Sequence, residues 1–275
     1  MRLGVSTSFS HTSGREWAKK HKDLGLTSVV FPLNYLDGEE KIDEYAAAAK
    51  EAGLVIAEVG VWRNIVAADP AERAAAVEYA KGQLAMADRI GANCCVNVAG
   101  AIQGPRWDGP HKSNFSKEAW EATVASVQEI VDAVQPKHTK YSLEPMPWMI
   151  PSGPEEYLGL LQDIDRDCVG VHMDIINMIN CPDRYFNQEE FLDRTFELLH
   201  GKILSCHIKD VNLRQEFTFQ LQECACGEGQ FNLEYYAELA NRETPDMPMI
   251  IEHLTSDEAY IASVAYTADR LKAYM

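Results

Sequence analysis

Short apolar runs punctuated by Gly, Pro, Asn or Asp alternate along the chain with longer stretches in which Ala, Glu and Lys recur at helical spacing. Such alternation predicts parallel strands crossed over by helices. Arg2 to Ser6, Ser28 to Pro32, Val55 to Gly60 and Asn93 to Val98 read as the first four strands. Four more end at Glu144, Asp174, His207 and Glu252. Helices are predicted from about Gly14 to Leu24, Lys41 to Ala52, Pro70 to Ile90, Lys117 to Val134, Pro154 to Asp163 and Gln188 to Leu199. Two more start near Leu233 and Ser256, the last finishing at Tyr274. Asp69 and Pro70 suit the N-cap and first turn of the third helix, and Gly91 its left-handed end. Eight strand-then-helix units without linker composition predict a single (β/α)8 TIM barrel spanning residues 1–275 as one domain.

The last four strands share an unusual ending. Tyr141-Ser-Leu-Glu144, Val169-Gly-Val-His-Met-Asp174, Ser205-Cys-His207 and Met249-Ile-Ile-Glu252 each run from apolar residues into a charged or imidazole side chain. Strands of a parallel sheet are buried on both faces, so a charge there is costly unless paired or bound to a cation. The four endings lie 30, 33 and 45 residues apart, each about one barrel unit. In a barrel they converge on the mouth formed by the strand C-termini; in an open doubly wound sheet the outer two would lie too far apart to share one ion. Three carboxylates and an imidazole suit manganese, magnesium, cobalt or a catalytic zinc better than a structural zinc site. Ordinary caps and ion pairs are the competing account of each residue singly.

Composition narrows the partners. A net charge of −17 argues against nucleic acid as the main partner, since phosphate binding needs a basic face. Seven cysteines, several inside apolar runs, read as reduced thiols in a cytoplasmic protein. Cys224-Ala-Cys226 is the one close pair with a gap, and no second pair sits at zinc-site spacing. No signal h-region opens the chain, and no apolar run approaches the roughly 18 residues of a membrane span.

Leu143-Glu144-Pro145, Met173-Asp174, His207-Ile-Lys-Asp210, Cys226-Gly-Glu-Gly229 and Ile251-Glu252-His253, with Trp107-Asp-Gly-Pro-His111 in support, resemble the xylose isomerase-like barrel superfamily of sugar phosphate isomerases and epimerases. The resemblance covers essentially the whole chain. It implies one divalent ion, manganese first, held by Glu144, Asp174, His207 and Glu252. In the ketose 3-epimerase members the two metal-bound glutamates exchange protons with carbon on opposite faces of the sugar. Those roles fall to Glu144 and Glu252. The chain departs from those epimerases at Ile150 and Asn177, where they carry a substrate-binding Glu and a His.

Other candidates follow from parity and position. His172 and Lys209 share the inward parity of their neighbouring ligands and would contact substrate or fill the barrel. Glu58 is inward if Gly60 is. Trp62, Trp107 and Trp148 follow the third to fifth strands and would wall a sugar ring or pack the loops. Arg106 and His111 sit in the long loop from Gly100 to Asn114. The leading expectation is a metal-dependent sugar isomerase or epimerase acting on a small carbohydrate. The alternatives are a lyase on the same scaffold (a dehydratase, or a C-glycoside-cleaving enzyme with a partner subunit), an apurinic-site endonuclease-like hydrolase, and a non-catalytic sugar-binding barrel. Exposed apolar helices would favour a homo-oligomer.

Overall fold

The structure is a computed structural model describing residues 1–275. In chain order its elements are β1 (Arg2–Val5), α1 (Gly14–Asp23), β2 (Ser28–Val30), α2 (Glu39–Glu51), β3 (Val55–Gly60), α3 (Pro70–Ile90), β4 (Cys94–Asn97) and α4 (Lys117–Val134). They continue with β5 (Lys140–Leu143), α5 (Pro154–Ile164), β6 (Val169–Met173), α6 (Ile175–Met178), α7 (Pro182–Phe186) and α8 (Gln188–Leu198). The rest are β7 (Ile203–Ile208), β8 (Asp210–Leu213), β9 (Leu221–Cys224), α9 (Leu233–Glu243), β10 (Pro248–Ile251) and α10 (Asp257–Arg270).

Eight parallel strands pair in the order β1-β10-β7-β6-β5-β4-β3-β2. The two ends meet where Thr27 N–H donates to the Leu3 carbonyl at 2.9 Å and Ser28 Oγ to the Arg2 carbonyl at 3.0 Å. The fold is a (β/α)8 barrel, with helices between the strands as expected from the alternation. One contiguous cluster of 66 buried apolar residues joins sheet and helices, which gives each strand the covered outer face that parallel pairing requires. Local signals act where expected. Asp69 Oδ1 accepts from the Ala71 and Glu72 amides, Pro70 opens α3, and Gly91 ends it at φ 70°.

Two expectations change. The stretch between His207 and the helix near Leu233, where no strand is predicted, contains an antiparallel hairpin, β8 paired with β9 from Asp210↔Cys224 to Leu213↔Leu221. The reason lies in Asp210, which is 1% exposed. Its Oδ1 accepts from the Val211 and Phe231 amides, both at 2.8 Å, and Oδ2 from Gly227 N–H at 3.0 Å. One carboxylate thus ties the hairpin to the Cys226-Gly-Glu-Gly229 turn. A Cβ at Gly229 would lie 2.2 Å from Asp210 Oδ1, so only glycine lets that chain approach. Second, β5, β6 and β10 end one residue before their charged residues. Glu144 still extends the ladder by one bond, donating its N–H to the Asn97 carbonyl at 2.8 Å, while Asp174 caps α6.

Candidate metal centre

Four consecutive positions around the barrel, β5, β6, β7 and β10, deliver Glu144, Asp174, His207 and Glu252 to one point. Their donor atoms lie within 4.8 Å of one another, and the side chains are 0–4% exposed. His207 Nδ1 stands 2.9 Å from Glu252 Oε2, 3.4 Å from Glu144 Oε1 and 3.9 Å from Asp174 Oδ2. Even so, Nδ1 makes no hydrogen bond. An orphaned, buried nitrogen facing three carboxylates is what a cation between them would satisfy, and three oxygens with one nitrogen suit a hard or borderline divalent ion. The residues therefore fit the ion that the resemblance implies.

Lys209, 2% exposed, also touches the quartet. Its Nζ donates to Asp174 Oδ2 at 2.7 Å and Glu252 Oε1 at 2.6 Å, and Glu223 Oε2 lies at 3.4 Å. This buried cation shapes the electrostatics. Burial works against ionised Asp174 and Glu252, but Lys209 and His207 outweigh it, holding Asp174 well below its usual range and Glu252 at about 2. Burial pushes Glu144 up to about 7; His207 opposes that rise, and Glu252 and Asp174 add to it. Burial alone would lower His207, yet the carboxylates of Glu252, Glu58 and Glu144 hold it well above the usual imidazole range. The two glutamates thus differ in proton affinity although both face one point.

A second polar layer lies directly beneath. Glu58, on the inward face of β3 and 1% exposed, accepts from Ser205 Oγ at 2.5 Å and faces His207 Nε2 at 3.4 Å. Burial disfavours its charge, but His172 and His207 outweigh that and keep it ionised. His172 is fully buried; desolvation, reinforced by His207, lowers it to about 4. Its ring meets that of His207 edge-on, with centroids 4.2 Å apart and planes at 81°.

Above the quartet opens a cavity of about 830 Å³. Trp62, Trp107 and Trp148 all line it, and Arg106 joins them, tied to Asp108 at 3.0 Å. Glu58 reaches its floor. His172, Lys209 and His111 are not part of the lining. His172 sits below the quartet, Lys209 is clasped by the carboxylates, and His111 caps the 3-10 turn Lys112–Phe115, its Nδ1 facing Ser113 Oγ at 2.7 Å. Asn177 occupies the place expected of an epimerase histidine, and its Nδ2 donates to Glu144 Oε1 at 3.3 Å and the Pro145 carbonyl at 3.1 Å. Sequence reasoning missed the hairpin's contribution. Phe219, Leu221 and Glu223 line the cavity, and Glu223 Oε2 faces His253 Nδ1 at 3.0 Å. The alternation in Asp210-Val-Asn-Leu was the available signal; Leu221-Gln-Glu-Cys does not alternate and carried none.

No helix is long and apolar enough to cross a membrane. No curated protein matches the sequence. Similar solved structures include D-psicose 3-epimerase from Clostridium cellulolyticum H10 with D-tagatose, at 13% identity and TM-score 0.75, covering 100% of this chain and 99% of that one. The 3-keto-D-glucoside 4-epimerase of E. coli matches at 16% identity and TM-score 0.71, covering 98% and 99%. A xylose isomerase-like TIM barrel protein from Mycobacterium smegmatis, in complex with magnesium, matches at 17% and 0.69, covering 96% and 90%. At these identities the likeness concerns the fold. The family model described as xylose isomerase-like TIM barrel matches residues 18–271, and the chain belongs to that family.

Proposed function

We propose that the protein is a divalent-metal-dependent sugar isomerase or epimerase that moves a proton next to a carbonyl. The observation that carries this reading is the buried quartet, three of whose members (Glu144, His207 and Glu252) line an open, carbohydrate-sized cavity, with its two glutamates at opposite ends of a four-strand arc. Glu144, Asp174, His207 and Glu252 would hold the ion, manganese first, with magnesium, cobalt or zinc as alternatives. When bound, it supplies Lewis-acid polarisation of a carbonyl and its neighbouring hydroxyl.

The chain's own groups then do the proton work. Glu252, held ionised by Lys209 and His207, takes the proton from the carbon beside the carbonyl. Glu144, whose proton affinity is raised, returns one from the other side. Trp62, Trp107 and Trp148 shield the site and offer flat faces to a sugar ring. Among the structural neighbours, the psicose and keto-glucoside epimerases support a carbohydrate as substrate.

A second reading is a lyase, in which the same proton removal is followed by loss of a β-substituent. The cavity of about 830 Å³ with three Trp side chains favours it, because it leaves room for an aglycone beyond one ring. Metal-loaded protein incubated with ketoses and keto-glycosides in deuterated water separates the readings. Solvent deuterium in an epimer supports the first, and an unsaturated product or freed aglycone the second. Full turnover after exhaustive chelation would end both.

A further inference from the structure

His207 presents one ring nitrogen upward and the other downward. Nδ1 faces the three carboxylates, while Nε2 faces Glu58 Oε2 at 3.4 Å. With an ion on Nδ1, the ring's proton must reside on Nε2, and Glu58 is the acceptor in front of it. Glu58 has no lysine or arginine partner. Its neighbours are Ser205 Oγ at 2.5 Å, His207 Nε2 at 3.4 Å and His172 Nδ1 at 3.5 Å. A carboxylate 1% exposed in the centre of a barrel is costly to keep for packing alone, since an apolar side chain would fill the space at less cost.

The surrounding floor locks the ring in place. Ser205 stands two residues before His207 on the inward face of β7, and its hydroxyl fixes the Glu58 carboxylate. His172, cross-strand from Ser205, packs its ring edge-on against His207 at 81°. Neither nitrogen of His172 has a hydrogen-bond partner, so packing holds that ring. The β6–β7 register shifts between Val171 and His172, which brings His172 opposite Ser205.

We propose that Glu58, clamped by Ser205 and backed by His172, is a positioning residue that fixes the tautomer and plane of His207 so that Nδ1 meets the metal. This rests on the metal-site reading above. Second partners of this type hold ligand imidazoles in orientation and raise their basicity, and their loss costs about 10–100-fold in metal affinity. Nothing in the sequence near His207 carries this role; Glu58 is 149 positions away.

The test is a manganese(II) chloride titration followed by electron paramagnetic resonance, on metal-stripped wild type, Glu58→Gln and Ser205→Ala. Cobalt(II) absorption spectra of the same proteins report ligand geometry. Glu58→Gln is expected to bind manganese about 10–100-fold more weakly with an altered cobalt spectrum, and Ser205→Ala to shift the same way by less. The thermal midpoint of the metal-free Glu58→Gln protein should be unchanged or higher, which separates this from a general loss of structure. Affinity within about threefold of wild type and an unchanged cobalt spectrum would overturn the proposal. If Glu58→Gln does not fold, Ser205→Ala alone decides by the same two readouts. Absence of manganese binding in wild type would instead sink the site reading itself.

Discussion

At the ends of β5, β6, β7 and β10 the barrel mouth offers Glu144, Asp174, His207 and Glu252, while β1 to β4 offer Ser6, Val30, Trp62 and Val98. One half of the mouth is charged and sunk below solvent, at 0–4% exposure; the other is mainly apolar and aromatic at its rim, with Trp62 38% and Trp107 37% exposed, beside the hydroxyl of Ser6 and above Glu58. The hairpin β8–β9 follows β7 and adds Phe219 and Glu223, one aromatic and one charged, to the same cavity. The division separates two tasks. On the proposed reading, charges on rigid strand ends would set the chemistry, and broad apolar faces on loops would set which ligand lies above it.

The comparison breaks first if the charged half is dispensable. Replacing Glu144 or Glu252 with Gln, assayed by deuterium exchange into substrate, should lower turnover by about 10²–10⁴-fold, the usual worth of a positioned acid or base. Near-full activity in both variants would leave the quartet a structural ornament of the barrel. The hairpin is next. Asp210→Ala leaves three amides without their acceptor, so denaturant unfolding should show a loss of about 3 kcal/mol, with hydrogen exchange rising in β8–β9 before the barrel strands. An unchanged stability would show that the turn holds itself.

The charged half should also respond to pH in a way the aromatic half does not. In the metal-free site Glu144, raised to about 7, and His207, raised above its ordinary range, both hold protons near neutrality. Each must release its proton to ligate, so metal affinity should rise with pH through neutrality, by up to about tenfold per unit for each proton released. Calorimetry in buffers of different ionisation enthalpy would detect those protons. Affinity flat from pH 6 to 8 would contradict the assignment. The smallest effect belongs to the aromatic half: Trp107→Ala should weaken ligand binding by about 2- to 12-fold, a stacking contribution of roughly 0.5–1.5 kcal/mol, and leave manganese affinity alone. A change in metal affinity instead would merge the two halves.

The charged half was legible in the sequence because each of its residues interrupts an apolar run, and burial makes that interruption expensive. Eight alternating units then gave the barrel, and the barrel gave convergence. The second layer was harder to read. Glu58 and His172 lie mid-strand, where a polar residue satisfied by distant partners looks the same as one aimed at a ligand; only the closed barrel brings β3 across from β7. Lys209 shared the right parity, but parity does not say whether a side chain reaches up to solvent or across to Asp174 and Glu252. The hairpin was missed because its strands are four residues each and their register depends on Asp210, whose partners Gly227 and Phe231 are 17 and 21 positions on.

The most direct measurement is the metal content per chain, by mass spectrometry, of protein purified without chelator, wild type against Glu252→Gln. The quartet predicts about one divalent ion per wild-type chain, manganese first, and its loss in the variant with the fold intact. No ion in the wild type, or the same content in both proteins, would contradict a site built from Glu144, Asp174, His207 and Glu252.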